Sequence, residues 1–206
     1  MSLPSATTNR ILDDIARQGW SLVPNFMPQQ VIKQLAGETL RLREDGALRQ
    51  AGVGKGAERT VNADTRGDFI LWLEEHDLTT AQRNYLAQLE QLRLAANSQL
   101  QLGLFDFEGH LAIYPSGSFY RKHIDRFRND SLRTLTCILY LNNDWRETDS
   151  GQLRLYLDGK KHIDILPQGG TLVTFLSDRF WHEVLPASRE RMSITGWFKT
   201  RGQVLL

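Results

Sequence analysis

Three residues have the types and spacing to hold a metal ion: His123 and Asp125, separated only by Ile124, and His182 far downstream. Two imidazoles and one carboxylate can occupy one face of a divalent ion such as Fe(II), leaving the other face open for a cosubstrate and for dioxygen. In an extended segment residues i and i+2 point the same way, so one strand end can present His123 and Asp125 together. The third ligand must then come from a strand adjacent in space but remote in sequence, and His182, opening an apolar run after Phe180-Trp181, fits that part. Nine residues later Arg191 heads a stretch whose period of two puts Arg191, Ser193, Thr195 and Trp197 on one face of a strand, expected to run antiparallel to the His182 strand. A guanidinium inside a barrel needs an anion, and a bidentate carboxylate has the natural geometry.

Other candidates are weaker. With 5 His and 14 Asp, chance supplies roughly 0.3 His-x-Asp triplets, so each of the two present must be judged on context. His162-Ile163-Asp164 lies in a short alternating strand too close to His182 for several strands to intervene, and His162 is expected to be a surface or sheet histidine. Cys137 sits in Thr134–Leu141, a buried-strand pattern, and reads as a packed, inert thiol. The glycines of Gln50–Arg59 lack the Ser or Thr that follows Lys-Gly in a phosphate-cradling loop, and no strand feeds them, so a flexible surface excursion able to close over a substrate is expected.

The elements that must position these groups fall into two halves. Helices are expected over Asn9–Gln18, from Pro28 through Leu42, and from a Thr79 or Thr80 cap to about Leu100. From Phe105 onward seven or eight short apolar stretches alternate with turn signals such as Asn142-Asn143-Asp144 and Gln168-Gly169-Gly170, the pattern of a sandwich or barrel. Helices first and strands after predict an α+β domain with helices laid on one side of the sheet structure. At 206 residues and 41% hydrophobic, the chain suits one well-buried core. With 25 basic and 24 acidic residues no global field selects nucleic acid or a membrane, and neither is expected as a partner. A single cysteine, an N-terminus without a basic start or apolar leader, and no run long enough to cross a bilayer place the protein in the cytoplasm as an expectation.

Several longer stretches then coincide. Arg66-Gly67-Asp68-Phe69-Ile70-Leu71-Trp72, Tyr114-Pro115 leading to Tyr120-Arg121-Lys122-His123-Ile124-Asp125, Tyr140-Leu141-Asn142-Asn143-Asp144-Trp145, and His182-Glu183-Val184 with Pro186, Arg191, Thr195 and Trp197 resemble the 2-oxoglutarate-dependent prolyl 4-hydroxylases. They resemble especially the branch of hypoxia-inducible-factor prolyl hydroxylases and their bacterial relatives, over roughly residues 25 to 200. The resemblance implies a double-stranded β-helix, or distorted jelly roll, with Fe(II) on His123, Asp125 and His182. It implies Arg191 and Tyr140 at the distal carboxylate of 2-oxoglutarate, Tyr114 near its chelating end, and Ile138, Leu153, Thr195 and Trp197 in the pocket wall. It places Arg133 at the substrate entrance and Tyr120, Gly52, Val53 and Gly54 against the substrate, with O2 as cosubstrate and ascorbate as the reductant. The implied substrate is a protein bearing a target proline, elongation factor Tu by likeness to the bacterial relatives. Two other readings stay open: a sensor that binds metal and 2-oxoglutarate without turnover, and a nucleic-acid demethylase on the same barrel. Arg121, Lys122, Arg126 and Arg128 near the ligands would serve the demethylase, while the balanced charge favours a peptide.

Overall fold

The computed structural model describes residues 5–52, 60–62, 64–126 and 132–202. Its first part carries α1 (Ser5–Gln18), β1 (Trp20–Val23), α2 (Gln29–Glu44), β2 (Arg49–Gln50), β3 (Phe69–Trp72) and α3 (Thr80–Leu100). All three expected helices form, α1 beginning four residues earlier than its periodicity suggested. Thr79 caps α3: its hydroxyl accepts from the Gln82 amide at 3.2 Å while the Gln82 side chain accepts from the Thr79 amide at 3.1 Å. Two otherwise orphaned amides are satisfied in this way. The three strands of this half were not anticipated, because runs of two to four residues carry too little alternation to register.

Eight strands follow: β4 (Leu104–Tyr114), β5 (Tyr120–His123), β6 (Arg133–Tyr140), β7 (Leu153–Tyr156), β8 (His162–Ile165), β9 (Leu172–Leu176), β10 (His182–Val184) and β11 (Arg191–Thr200). They join the earlier three in two antiparallel sheets, ordered β1-β9-β6-β11-β4-β3-β2 and β5-β10-β7-β8. This is the jelly-roll frame the sequence led us to expect. The strand carrying Arg191 and the strand carrying His182 belong to different sheets and do not pair.

Alternation along the central strands of the larger sheet sends side chains to two separate cores. Leu111, Leu135, Cys137, Leu139, Ile194 and Phe198 meet the helices through Ile11, Ile32, Leu35, Tyr85, Leu89 and Leu92. Ala112, Tyr114, Ile138, Tyr140, Val173 and Phe175 face inward to Leu153, Leu155, Ile165 and Val184 of the smaller sheet. Each fully buried Leu or Phe stabilises by about 1.5–3 kcal/mol, so the helix-side layer can hold the sheet while the inner face carries polar groups. Cys137 lies on the helix side, where burial pushes its thiol up and keeps it protonated. Within the glycine-rich segment, Gln50 ends β2 and Ala51 is buried; Val53 and Gly54, with the rest of 53–59, lie outside the described residues.

At the centre of the larger sheet Gly196 of β11 faces Gly109 of β4. A Cβ on Gly196 would enter the Phe107 ring and press on the Glu108 carbonyl oxygen. Gly196→Ala is therefore expected to destabilise the fold by about 1–3 kcal/mol through overpacking. A urea denaturation midpoint unchanged from the wild type would contradict that close contact.

Candidate metal centre and anion pocket

β5 ends on His123, and the chain then turns so that Asp125 enters the space between the sheets, 7% exposed. β10 pairs with β5 so that His182 stands directly opposite His123. One ligand atom from each of the three residues lies within 4.8 Å of the others, and this is the triad expected from the sequence. The Nε2 atoms of His123 and His182 stand 3.8 and 3.6 Å from the Asp125 carboxylate oxygens. Each imidazole uses its other nitrogen on a backbone carbonyl: Nδ1 of His123 donates to Arg121 O at 2.7 Å, and Nδ1 of His182 to Phe180 O at 3.1 Å. Both Nε2 lone pairs are thereby aimed inward, the tautomer a metal requires.

The electrostatics suit a cation. Burial, followed by the neighbouring His182 imidazole, pushes His123 down to about 3, so it stays neutral and able to ligate. Burial acts to raise Asp125, yet the His182 and His123 imidazoles and the Thr136 hydroxyl together hold the carboxyl below its ordinary range. Thr136 donates to Asp125 Oδ2 at 2.8 Å and is itself joined to Ser177 at 2.9 Å. The Trp197 indole N–H faces the same carboxylate without reaching good hydrogen-bond geometry.

Beside this centre lies a second demand for charge. Arg191, 2% exposed, donates from Nε to the Gly151 carbonyl at 2.9 Å and has no carboxylate partner among the described residues. Its guanidinium carbon lies 5.2 Å from the Tyr114 ring centre and 5.0 Å from that of Tyr140. The buried Tyr140 hydroxyl faces Arg191 without reaching good hydrogen-bond geometry and has no other partner among the described residues; burial pushes it up to about 12, with the nearby guanidinium acting the other way. A buried cation and an unsatisfied hydroxyl side by side fit an incoming carboxylate. His123, Asp125 and His182 could hold a metal ion such as Fe(II), and the space beside Arg191 and Tyr140 could receive the carboxylate of a dicarboxylic keto acid.

Ile138 and Leu153 line the inner core, and Thr195 and Trp197 continue the Arg191 row along β11. Arg133 lies 3.6 Å over the Trp197 ring and donates to Glu108 at 2.8 Å, at the half-exposed rim. Tyr120 stacks on His123, and Gly52 follows β2. His162 is exposed on β8, apart from the triad, beside Tyr156. The sequence reading missed Thr136, although extending the inward period from Tyr140 through Ile138 reaches it. It also missed His110, held between Trp72 and Trp197 at 5.1 and 5.6 Å, and the Gly151 carbonyl, which no side-chain pattern could reveal.

Comparison with known proteins agrees with this geometry. The 2OG-Fe(II) oxygenase superfamily pattern matches residues 109–199. A hypoxia-inducible factor prolyl hydroxylase of Caenorhabditis elegans is 33% identical over 199 residues, 90% of this chain and 27% of that protein. Prolyl hydroxylase EGLN3 of Mus musculus is 30% identical over 188 residues, 87% of this chain and 78% of that protein. The chain spans less than half the length of the first two curated relatives, 27% and 44%. Among solved structures, a Pseudomonas putida prolyl-4-hydroxylase superposes with a TM-score of 0.85 at 45% identity, covering 95% of this chain and 100% of that one. A Trichoplax adhaerens prolyl hydroxylase, solved with a hypoxia inducible factor oxygen degradation domain peptide, gives 0.84 at 28% identity, covering 94% and 89%.

The buried imidazoles make a pH prediction for the metal-free protein. Burial pushes His110 down to about 4 and His123 to about 3, from an ordinary 6.5. Between those limits the unfolded chain binds more protons, so stability present at pH 7 falls as pH drops below about 6.5; the depressed Asp125 adds a loss of the same sign at lower pH. Urea midpoints measured from pH 7 to 4.5 should fall steadily, and His110→Phe should flatten the slope. A midpoint constant down to pH 5 would count against neutral burial.

Proposed function

This chain belongs to the 2OG-Fe(II) oxygenase superfamily, among its prolyl hydroxylases, and we propose that it hydroxylates a prolyl residue of a protein substrate using 2-oxoglutarate and dioxygen. The observation that carries the reading is the meeting, between two sheets, of a His-Asp-His triad with a buried arginine that has no carboxylate partner among the described residues. His123, Asp125 and His182 would hold ferrous iron, which when bound would supply oxygen activation for coupled decarboxylation of 2-oxoglutarate and hydroxylation of a prolyl C–H bond, one oxygen atom going to succinate and the other to the proline.

The chain's own residues orient and exclude. Arg191 gives the cosubstrate's far carboxylate a planar, doubly donating partner, and the Tyr140 hydroxyl adds a third donor. Ile138, Leu153 and Val184 wall the pocket with aliphatic surface that keeps water from the carboxylate. Thr136 holds Asp125 by the oxygen that also faces His182, which limits rotation of the carboxylate. Trp72, 38% exposed, packs on the buried His110 and Trp197 rings beside Arg133 and offers an apolar surface edged by a cation, suited to a pyrrolidine ring in a peptide.

Elongation factor Tu is the protein substrate in this proposal, on the resemblance of the sequence to bacterial prolyl hydroxylases. The peptide complex of the Trichoplax relative supports a peptide segment of a protein as the ligand class. A cytoplasmic site of action accords with the single, buried, free cysteine.

Incubation of the protein with elongation factor Tu, Fe(II), 2-oxoglutarate and ascorbate in air should add the mass of one oxygen atom to a single proline, with stoichiometric succinate. No gain on that protein, with gain on another prolyl peptide, would overturn the substrate; cosubstrate binding without turnover on any would favour a sensor. Arg191→Met should weaken 2-oxoglutarate about a hundredfold, or ~3 kcal/mol, while leaving metal affinity near wild type.

A further inference from the structure

The two histidine ligands are held in different ways. His182 is enclosed, its side chain 5% exposed and its ring edge-on to Phe175 at 4.9 Å. His123 is more open, its side chain 17% exposed. Besides its Nδ1 bond to the Arg121 carbonyl, its ring has the Tyr120 phenol flat against it, with centroids 3.6 Å apart and planes 15° from parallel.

That stack should not exist in a regular strand. Residues three apart point to opposite faces of a sheet. The register of β5 against β10 breaks here: His123 pairs with His182 and Tyr120 with Val184, so Arg121 and Lys122 together oppose the single residue Glu183. The extra residue of this bulge brings Tyr120 round to the face of His123. The outer face of the phenol is covered in turn by Arg66, its guanidinium carbon 4.4 Å from the ring centre. Arg66 is fixed by two hydrogen bonds to the fully buried Asp68, at 2.7 and 2.5 Å. Backbone bonds join the two segments on either side: Gly67 N donates to Phe119 O at 3.0 Å and Arg121 N to Thr65 O at 2.9 Å.

We propose that Arg66 and Tyr120 are positioning residues for the metal ligand His123, a carboxylate-anchored guanidinium clamping a phenol ring that sets the plane in which the imidazole offers Nε2. The inference rests on the metal-centre reading and is independent of which substrate is hydroxylated. The Arg66–Asp68 pair and the bulge serve one purpose in this view, which is to wall the ligand that the fold leaves partly open.

The test is titration of metal-free protein with Co(II) alone, followed by calorimetry and by the visible ligand-field bands, with thermal melts as the folding control. Tyr120→Leu should weaken Co(II) about tenfold, in the range typical of lost outer-sphere support, and shift the bands. Tyr120→Phe, which keeps the flat ring, should stay within about twofold of wild type. Arg66→Lys leaves Asp68 a cation but loses the planar fork; it should weaken Co(II) in the same direction, and non-additively with Tyr120→Leu. Wild-type affinity and bands in Tyr120→Leu overturn the proposal, as does a Phe variant as weak as the Leu variant. Should Tyr120→Leu fail to fold, wild-type Co(II) binding by Arg66→Lys overturns it instead. With neither 2-oxoglutarate nor peptide present, a protein that behaves as expected here yet hydroxylates no proline refutes the proposed function and leaves the clamp intact.

Discussion

The register of β10 in the smaller sheet is the constraint on which the site depends. Side chains alternate with period two, so sliding β10 by one residue would turn His182 outward and present Trp181 or Glu183 to the interior. A three-residue strand has few ladder bonds with which to resist such a slip. Its neighbours do the pinning: β7 pairs with it on the other side, His182 opposite Leu155 and Glu183 opposite Arg154. On the outer face Tyr156 donates to Glu183 at 2.6 Å, and Arg154 holds Asp164 through two bonds at 2.8 Å. These groups are partly solvated, so their individual contributions are small. Together they specify which way His182 faces, and that is what the ligand set needs.

Charges inside the frame follow one rule: each is balanced locally or placed where a ligand can balance it. Asp68 has Arg66, and Glu108 has Arg133 and Lys199. Asp125 has two imidazoles and the Thr136 hydroxyl. Among the described residues, Arg191 is the buried charge that has only a carbonyl and two aromatic faces. An uncompensated buried cation is expensive to fold, and its retention marks the place where the fold trades stability for binding.

Much of this was legible in the sequence because the informative residues sit on strands with clean alternation. The period-two row from Arg191 to Trp197 translates directly into a shared face, whereas Asp125 joins His123 through a bend just past the end of β5. The cap of α3 was narrowed to Thr79 or Thr80, and Thr79 takes it. What stayed hidden depends on partners distant in the chain. Nothing local tells that Thr136 reaches Asp125, that the Gly151 carbonyl receives Arg191, or that Gly196 and Gly109 meet. The bulge in β5 was invisible for the same reason: Tyr120 and His123 share a face only because of how many residues β10 sets against them. The short strands β1 to β3 escaped notice because the sheet they complete, rather than their own pattern, makes them extended.

The larger sheet carries an apolar layer against the helices on one face and the polar row on the other, and this separation has an evolutionary consequence. Residues such as Ile194 and Phe198 anchor β11 from behind while Ser193, Thr195 and Trp197 line the chamber in front. Side chains on the chamber side can be exchanged without dismantling the scaffold, whereas those behind must conserve volume. Selectivity for the molecule that enters can thus drift among descendants of one frame, while the frame itself is inherited almost unchanged.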